Sequence, residues 1–198
     1  MTPGPGATKS DWRRHFREQI RQLTPAERAA ASALICGRVE SRPEWQRARA
    51  VFLFVPTPDE PEIFPLARAA LAAGKIVVMP RYCPNDDSYE AARVTDLARD
   101  LTRGRFGISE PLAECPRFLL NELDFSLVPG IGFALDGGRL GRGRGYFDRL
   151  LAAIPGFKCG VAFDCQVAPE FSLEPHDVVL DCILTPTRWH LTASRARS

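Results

Sequence analysis

Hydrophobic spacing and capping residues predict two helices in the N-terminal part of the chain. The first carries apolar residues at spacings of four, four and three: Trp12, Phe16, Ile20 and Leu23. Ser10 or Asp11 is expected to cap this helix, and residues 1–8 are expected to be a disordered tail. The segment Thr24-Pro-Ala-Glu27 is a capping box with proline at the first helical position. A second helix is therefore predicted from there to about Glu40.

Uninterrupted apolar runs that end at proline predict buried parallel strands. Residues 50–55 form such a run before Pro56, and residues 76–79 form another before Pro80. Between the two runs, apolar residues at helical spacing predict a helix that Gly74 closes: Ile63, Leu66, Ala67, Ala70 and Leu71. The unit is a strand–helix–strand crossover, for which a right-handed connection is expected.

The rest of the chain repeats this alternation. A loop with a short strand is expected near residues 91–94, and a helix over residues 146–154. Further strands are predicted at residues 125–128, 158–163 and 178–184, the last of them interrupted by Asp181. The predicted fold class is α/β, a single-domain three-layer α/β/α sandwich with a mostly parallel sheet over residues 9–190. Residues 191–198 are expected to be a tail.

Composition and charge give no support for a nucleic-acid-binding protein or a membrane protein. A net charge of +2 over 198 residues gives no argument for a nucleic-acid or membrane partner. No apolar run approaches membrane-spanning length, and the N-terminus lacks the apolar stretch of a signal peptide. The six cysteines contain no Cys-x-x-Cys pair, which favours reduced, buried thiols and a cytoplasmic location.

The segment from Gly137 to Gly145 is the strongest chemical signal in the chain. Five glycines alternate there with Arg139, Arg142 and Arg144, directly before the predicted helix. Glycine-rich turns that present N–H groups at a helix start bind anions, and three guanidiniums favour a polyphosphate. Parallel sheets bind ligands beyond the carboxyl ends of their strands, where this loop is expected. The alternative is a flexible surface loop.

Acidic residues at two positions are candidates for a metal site. Asp148 follows the glycine loop by about one helical turn, and Asp181 falls within an apolar run, where an unpaired charge is costly. The alternatives are a helix-start carboxylate for Asp148 and a structural ion pair for Asp181. The acidic segment at residues 59–62 is interpreted either as part of a ligand-binding site or as a solvated cap of the following helix. His176-Asp177 lacks a nucleophile placed for it, so an entry turn is the better interpretation.

Together these segments resemble the 5-formyltetrahydrofolate cyclo-ligase family. The family block of Arg-Leu-Gly-x-Gly-x-Gly-Tyr-Tyr-Asp stands here as residues 139–148, after a Pro-Gly-x-x-Phe strand exit at residues 129–133. Shorter matching segments occur in the family order: Lys9–Arg13, Glu60, Gly74–Pro80, Phe106–Pro111 and His176–Asp181. The resemblance covers essentially residues 9–188.

The resemblance implies an enzyme that converts 5-formyltetrahydrofolate to 5,10-methenyltetrahydrofolate with ATP and Mg2+, releasing ADP and phosphate. The formyl oxygen is expected to attack the γ-phosphate, after which N10 closes the ring and expels phosphate. Such phosphoryl transfer depends mainly on positioning and charge neutralisation, which suits a loop without a side-chain nucleophile. No nucleic-acid or membrane partner is expected, and the protein is expected to be a monomer.

Site residues implied by the resemblance fall into overlapping groups. The ATP-binding group is Lys9, Ser10, Asp11, Trp12, Arg13, Arg139, Leu140, Gly141, Arg142, Gly143, Arg144, Gly145, Tyr146 and Phe147. The substrate-binding group is Val55, Glu60, Arg142, Gly143, Arg144, Gly145 and Tyr146. The catalytic group is Arg142, Arg144 and Tyr146, and the metal ligands are Asp148 and Asp181.

Two departures from the family pattern are visible. Phe147 replaces the second tyrosine, which excludes a phenolic role there, and the turn at residues 56–61 is rich in proline. Three alternatives stay open: a non-catalytic paralogue that binds nucleotide or folate, a basic nucleic-acid-binding module and a sugar-phosphate isomerase of similar architecture. Salt-sensitive binding to oligonucleotides would support the second, and activity without ATP the third.

Overall fold

A computed structural model describes residues 2–4, 6–171, 174 and 177–192 of the chain. The helices are α1 (Lys9–Gln22), α2 (Pro25–Glu40), α3 (Pro43–Arg47), α4 (Phe64–Ala72) and α5 (Tyr146–Ala152). The first six strands are β1 (Ala50–Phe52), β2 (Ile76–Cys83), β3 (Ser88–Val94), β4 (Leu101–Arg103), β5 (Ser109–Pro111) and β6 (Phe125–Val128). The others are β7 (Gly132–Ala134), β8 (Arg139–Leu140), β9 (Phe157–Val161), β10 (Val167–Ala168), β11 (Cys182–Leu184) and β12 (Trp189–Leu191).

The main sheet has seven strands in the order β12-β11-β9-β6-β1-β2-β3. Its five central strands are mutually parallel, whereas β12 and β3 pair antiparallel at the two edges. A small three-stranded sheet, β10-β7-β8, and the hairpin β4-β5 complete the fold. The mostly parallel sheet predicted from the apolar runs is confirmed.

Alternate residues of the central strands bury into two different cores, as the strand period of two requires. Val51 and Leu53 face the core beneath α2, α3 and α4, whereas Ala50 and Phe52 face the core beneath α5. A third cluster joins α1 to the small sheet: Trp12, Phe16, Ile131, Ala134, Leu140, Ala168 and Phe171. The three-layer architecture follows from strands that are apolar on both faces.

Both predicted N-terminal helices are present, but the cap of α1 differs from the prediction. Thr8 is the N-cap residue, and its hydroxyl accepts from the N–H of Asp11 while the Asp11 carboxylate accepts from Thr8. This capping box is the same device as the predicted box of Thr24 and Glu27 on α2. Ser10 and Asp11 are therefore helical residues, and the cap comes from the segment expected to be a tail.

Two strand boundaries also differ from the prediction. Strand β2 continues through Pro80 to Cys83, paired with β3. Proline is tolerated there because its partner Ala91 uses its carbonyl to accept from the N–H of Phe118. Asp181 precedes β11 and does not interrupt it.

Parts of the predicted tails, Met1, Pro5 and residues 193–198, lie outside the described residues, as does His176. In the part of the chain that the structure describes, no helix combines the length and the apolar character needed to cross a bilayer.

Candidate functional site

A cleft of about 1060 Å³ opens at the carboxyl end of the parallel strands. Three segments line it: residues 54–60 after β1, residues 129–130 after β6, and residues 139–148, which comprise most of the glycine loop (residues 137–145) and the first residues of α5. Side chains from α1 and from residues 105–110, between β4 and β5, complete the walls. The position agrees with the general rule that open parallel sheets bind ligands at this edge.

The glycine loop runs from a paired strand, β8, to the start of α5, and the residues between them line the cleft. Arg139 and Leu140 form β8, paired with β7, and both are buried. Gly143 and Gly145 then adopt positive φ angles of 99° and 65°, a conformation that L side chains rarely adopt. The turn they make ends at the start of α5.

Helix α1 contributes two cations one turn apart. Lys9 and Arg13 line the cleft, and the Nε of Arg13 donates to the carbonyl of Gly141 at 2.9 Å. Lys9 Nζ lies 2.7 Å from Asp177 and 3.3 Å from Glu174. Partial burial lowers the pKa of Lys9, but hydrogen bonds to Asp177 and Glu174 outweigh it, so the net pKa is raised and the ammonium stays charged.

Of the predicted segment from Lys9 to Arg13, the three middle residues do not line the cleft. Ser10 is exposed, Asp11 bonds to the N-cap residue Thr8, and Trp12 packs in the third core cluster. Helical geometry explains this, because residues four apart share a face and their neighbours do not.

Arg139 and Asp148 form a buried ion pair across the glycine loop. Arg139 Nη2 donates to Asp148 Oδ1 at 2.7 Å and Nη1 donates to the carbonyl of Pro129 at 3.1 Å. The Arg139 side chain is 4% exposed and that of Asp148 is 15% exposed. Arg139 therefore ties Asp148 to the backbone after β6, and it fixes one carboxylate oxygen at the cleft wall.

Glu60 and Arg142 meet at the opposite side of the loop. Arg142 Nη2 donates to Glu60 Oε1 at 3.2 Å and to the hydroxyl of Thr57 at 2.7 Å. Glu60 Oε2 accepts from the N–H of Thr57 at 2.9 Å, which closes the proline-rich turn. The turn after β1 is thus tied to the glycine loop.

The remaining wall is apolar and aromatic. Val55, Phe64, Pro80, Ile108 and Phe147 contribute to it together with Tyr89 and Tyr146, whose ring centroids lie 5.2 Å apart. Arg144 is exposed at the loop tip, with its guanidinium carbon 5.1 Å from the ring centroid of Phe106. Sequence reasoning gave no site role to residues 105–110, to Tyr89 or to Asp177, although Phe106–Pro111 was among the segments that matched the family.

The structure does not bring the two predicted metal ligands together. Asp148 lines the cleft, whereas Asp181 precedes β11 at the amino edge of the sheet. The Asp181 carboxylate accepts from the N–H of Lys158 at 2.8 Å, next to the start of β9. The apolar run around Asp181 indicates that burying its charge is costly, and the hydrogen bond from the N–H of Lys158 reduces that cost.

Magnesium typically takes one or two protein carboxylates beside waters and substrate phosphates. The described residues contain no group of three or more His, Cys, Asp or Glu side chains that could hold a metal. Asp148, with one oxygen fixed by Arg139, fits the smaller donor set that magnesium needs. This fit rests on Asp148 alone.

A doubly covered parallel sheet with a polar, loop-built cleft at its carboxyl edge defines an α/β protein that binds small molecules. The chain belongs to the 5-formyltetrahydrofolate cyclo-ligase family, whose model matches residues 5–186. It is an enzyme of that family.

Relatives and solved structures agree with this membership. A mouse protein named 5-formyltetrahydrofolate cyclo-ligase is 27% identical over 189 residues, covering 90% of this chain and 93% of the mouse protein. An Escherichia coli protein of the same name is 29% identical over 181 residues, covering 87% of this chain and 97% of its own length. The structure of Aquifex aeolicus 5,10-methenyltetrahydrofolate synthetase superposes with a TM-score of 0.84 and 32% identity, covering 93% of each chain.

Proposed function

We propose that this enzyme converts 5-formyltetrahydrofolate to 5,10-methenyltetrahydrofolate in an ATP- and Mg2+-dependent reaction that releases ADP and phosphate. Family membership supports the conversion. The main support for ATP binding is that Lys9, Arg13 and Arg142 all line the cleft around the glycine loop. Cations spaced along a backbone turn suit a polyphosphate.

The cleft walls suit the two substrates differently. The cationic side, built by α1 and the glycine loop, would hold the phosphates of ATP. The apolar and aromatic side, with Val55, Tyr89 and Tyr146, would hold the pterin ring, and Glu60 would accept from its N–H groups. The glycine loop lies between the two, so it would bring the formyl oxygen and the γ-phosphate together.

Each loop side chain then has a defined task. Arg142 and Arg144 would neutralise charge on the transferred phosphoryl group, and Tyr146 would orient the folate. Asp148 would hold Mg2+, which when bound neutralises charge on the phosphate oxygens. Arg139 keeps Asp148 at the cleft wall. Phosphoryl transfer of this kind needs positioning and no covalent bond to the protein.

The direct test mixes the protein with MgATP and 5-formyltetrahydrofolate and follows methenyl absorbance together with released phosphate. We expect both products in equal amounts. Arg144→Ala should lower turnover about tenfold or more, because a charge-assisted hydrogen bond contributes about 1.5–3 kcal/mol. Arg17→Ala, on the exposed face of α1, is the matched control and should leave turnover unchanged. Binding of both substrates without turnover would instead identify a non-catalytic paralogue.

A further inference from the structure

Asp87 joins three separate segments at the edge of the cleft. Its Oδ1 accepts from the hydroxyl of Tyr82 at 2.8 Å and from the hydroxyl of Tyr146 at 2.9 Å, and it forms a salt bridge with Arg105. Tyr82 belongs to β2, Arg105 to the turn between β4 and β5, and Tyr146 to the first turn of α5. One carboxylate oxygen therefore connects the turn between β2 and β3 to two walls of the cleft.

The backbone at Asp87 is shaped for this contact. Its φ of 50° lies in the left-handed region, which aspartate and asparagine enter more readily than most residues. Arg105 is held from a second side, with its guanidinium carbon 4.1 Å from the ring centroid of Tyr82. The contact with Arg105 is also the main reason that the pKa of Asp87 is lowered to about 2, ahead of the two tyrosine hydroxyls.

All three tyrosines of the chain lie in this cluster. The ring centroids of Tyr82 and Tyr89 are 5.4 Å apart, and those of Tyr89 and Tyr146 are 5.2 Å apart. Tyr89 and Tyr146 line the cleft, and Arg105 lines it beside them. The hydroxyl contact with Asp87 adds a directional hydrogen bond to the tilted ring contact between Tyr146 and Tyr89.

We propose that Asp87 is a positioning residue of the folate side of the cleft, which holds Tyr146 and Arg105 in the arrangement that binds the formylfolate. The inference rests on the proposed function, because it assigns the folate to the wall that Tyr146 forms. Asp87 does not line the cleft itself, so it acts through the two side chains that it holds.

Three variants test the proposal by kinetics. Asp87→Gly removes the carboxylate and suits the positive φ, so it should raise the KM for 5-formyltetrahydrofolate about threefold to fivefold, because Tyr146 and Arg105 lose an exposed contact that orients them. The KM for ATP should hardly change. Asp87→Asn keeps the acceptor oxygen and should restore most of the affinity. Asp86→Asn removes a charge from the neighbouring residue, whose carboxylate accepts from Ser88, and should behave as wild type.

A double-mutant cycle separates positioning from a general effect on the fold. Tyr146→Phe should also raise the KM for the folate, and the double variant Asp87→Gly, Tyr146→Phe should raise it by less than the product of the two single changes, because the contact between the two residues is then counted once. Additive effects, an equal rise in the KM for ATP, or wild-type kinetics in Asp87→Gly would each overturn the proposal.

A spectroscopic measurement keeps the test independent of activity. In the Tyr146→Phe background, Asp87→Gly should lower the pKa of Tyr82, which its hydrogen bond to Asp87 raises, as followed by tyrosinate absorbance. An unchanged titration would show that Asp87 does not hold the cluster. If the wild-type protein shows no turnover while the titration shifts as expected, the proposed function fails and the contacts of Asp87 stand.

Discussion

Carboxylates at the two edges of the sheet have different partners. At the amino edge, Asp124 Oδ2 accepts from the N–H groups of Arg49 and Ala50 at 2.8 and 2.9 Å, and Asp181 accepts from that of Lys158. At the carboxyl edge, Asp148 pairs with Arg139 and Glu60 pairs with Arg142. Backbone donors tie strands together, whereas side-chain cations can share their donors with a ligand.

The difference distinguishes carboxylates that line the cleft from those that do not better than the sequence context does. Asp148 and Asp181 both stand beside apolar residues, yet they lie at opposite edges of the sheet. The edge of the sheet at which each carboxylate lies is therefore the feature that the following variants examine.

The largest difference is expected between Asp148→Asn and Asp181→Asn. Asp148→Asn keeps an oxygen for Arg139 but removes the charge next to the proposed phosphate site, so turnover should fall about a hundredfold and the Mg2+ requirement should rise. Asp181→Asn should keep wild-type turnover and Mg2+ dependence and change the melting temperature alone. Steady-state rates over a Mg2+ titration measure both. Loss of turnover in Asp181→Asn with an unchanged fold would restore the metal role that the sequence predicts.

Glu60→Gln tests whether the second carboxyl-edge pair serves the folate. Gln accepts hydrogen bonds but carries no charge, so the KM for 5-formyltetrahydrofolate should rise about tenfold while ATP affinity stays nearly the same. Glu62→Gln is the control, because Glu62 accepts from the N–H of Phe64 at the start of α4. A loss confined to ATP affinity would place Glu60 on the nucleotide side.

Asp124→Ala tests the amino edge. It leaves the N–H groups of Arg49 and Ala50 without their acceptor, which should lower the free energy of unfolding by about 1–3 kcal/mol. Turnover of the folded fraction should remain at the wild-type value, because the cleft lies at the other edge. Urea denaturation and specific activity at low denaturant give the two quantities. A matching loss of specific activity would show that the edges are coupled.

The smallest effect concerns acid stability. The pKa of Asp87 is lowered to about 2, chiefly by Arg105, so the carboxylate stabilises the fold above its ordinary pKa of 3.8. This contribution is lost as the pH falls towards 2, and the 62% exposure of the side chain keeps it small. Between pH 4 and pH 2, Asp87→Asn should lose slightly less unfolding free energy than the wild type. Parallel curves for the two proteins would contradict the assignment.

Local patterns were enough to predict much of the fold. Apolar runs place β1, β2 and β6, and the Thr24 capping box places the start of α2. These elements depend on neighbouring residues alone, through side-chain periodicity and the satisfaction of backbone donors. Strands as short as β8 and β12 carry too few residues to show a period, and they form because a partner strand lies beside them.

The candidate site also contains some residues that local sequence predicts and others that only the tertiary structure places. The sequence by itself determined the glycine loop, its arginines and Asp148, because their chemistry lies within ten consecutive residues. Only the tertiary structure decided that Lys9 and Arg13 face the loop while Trp12 does not, that Asp181 lies at the far edge, and that Asp87 reaches Tyr146. Those relations join segments far apart in the chain, and strand order and helix rotation set them, which no local pattern encodes.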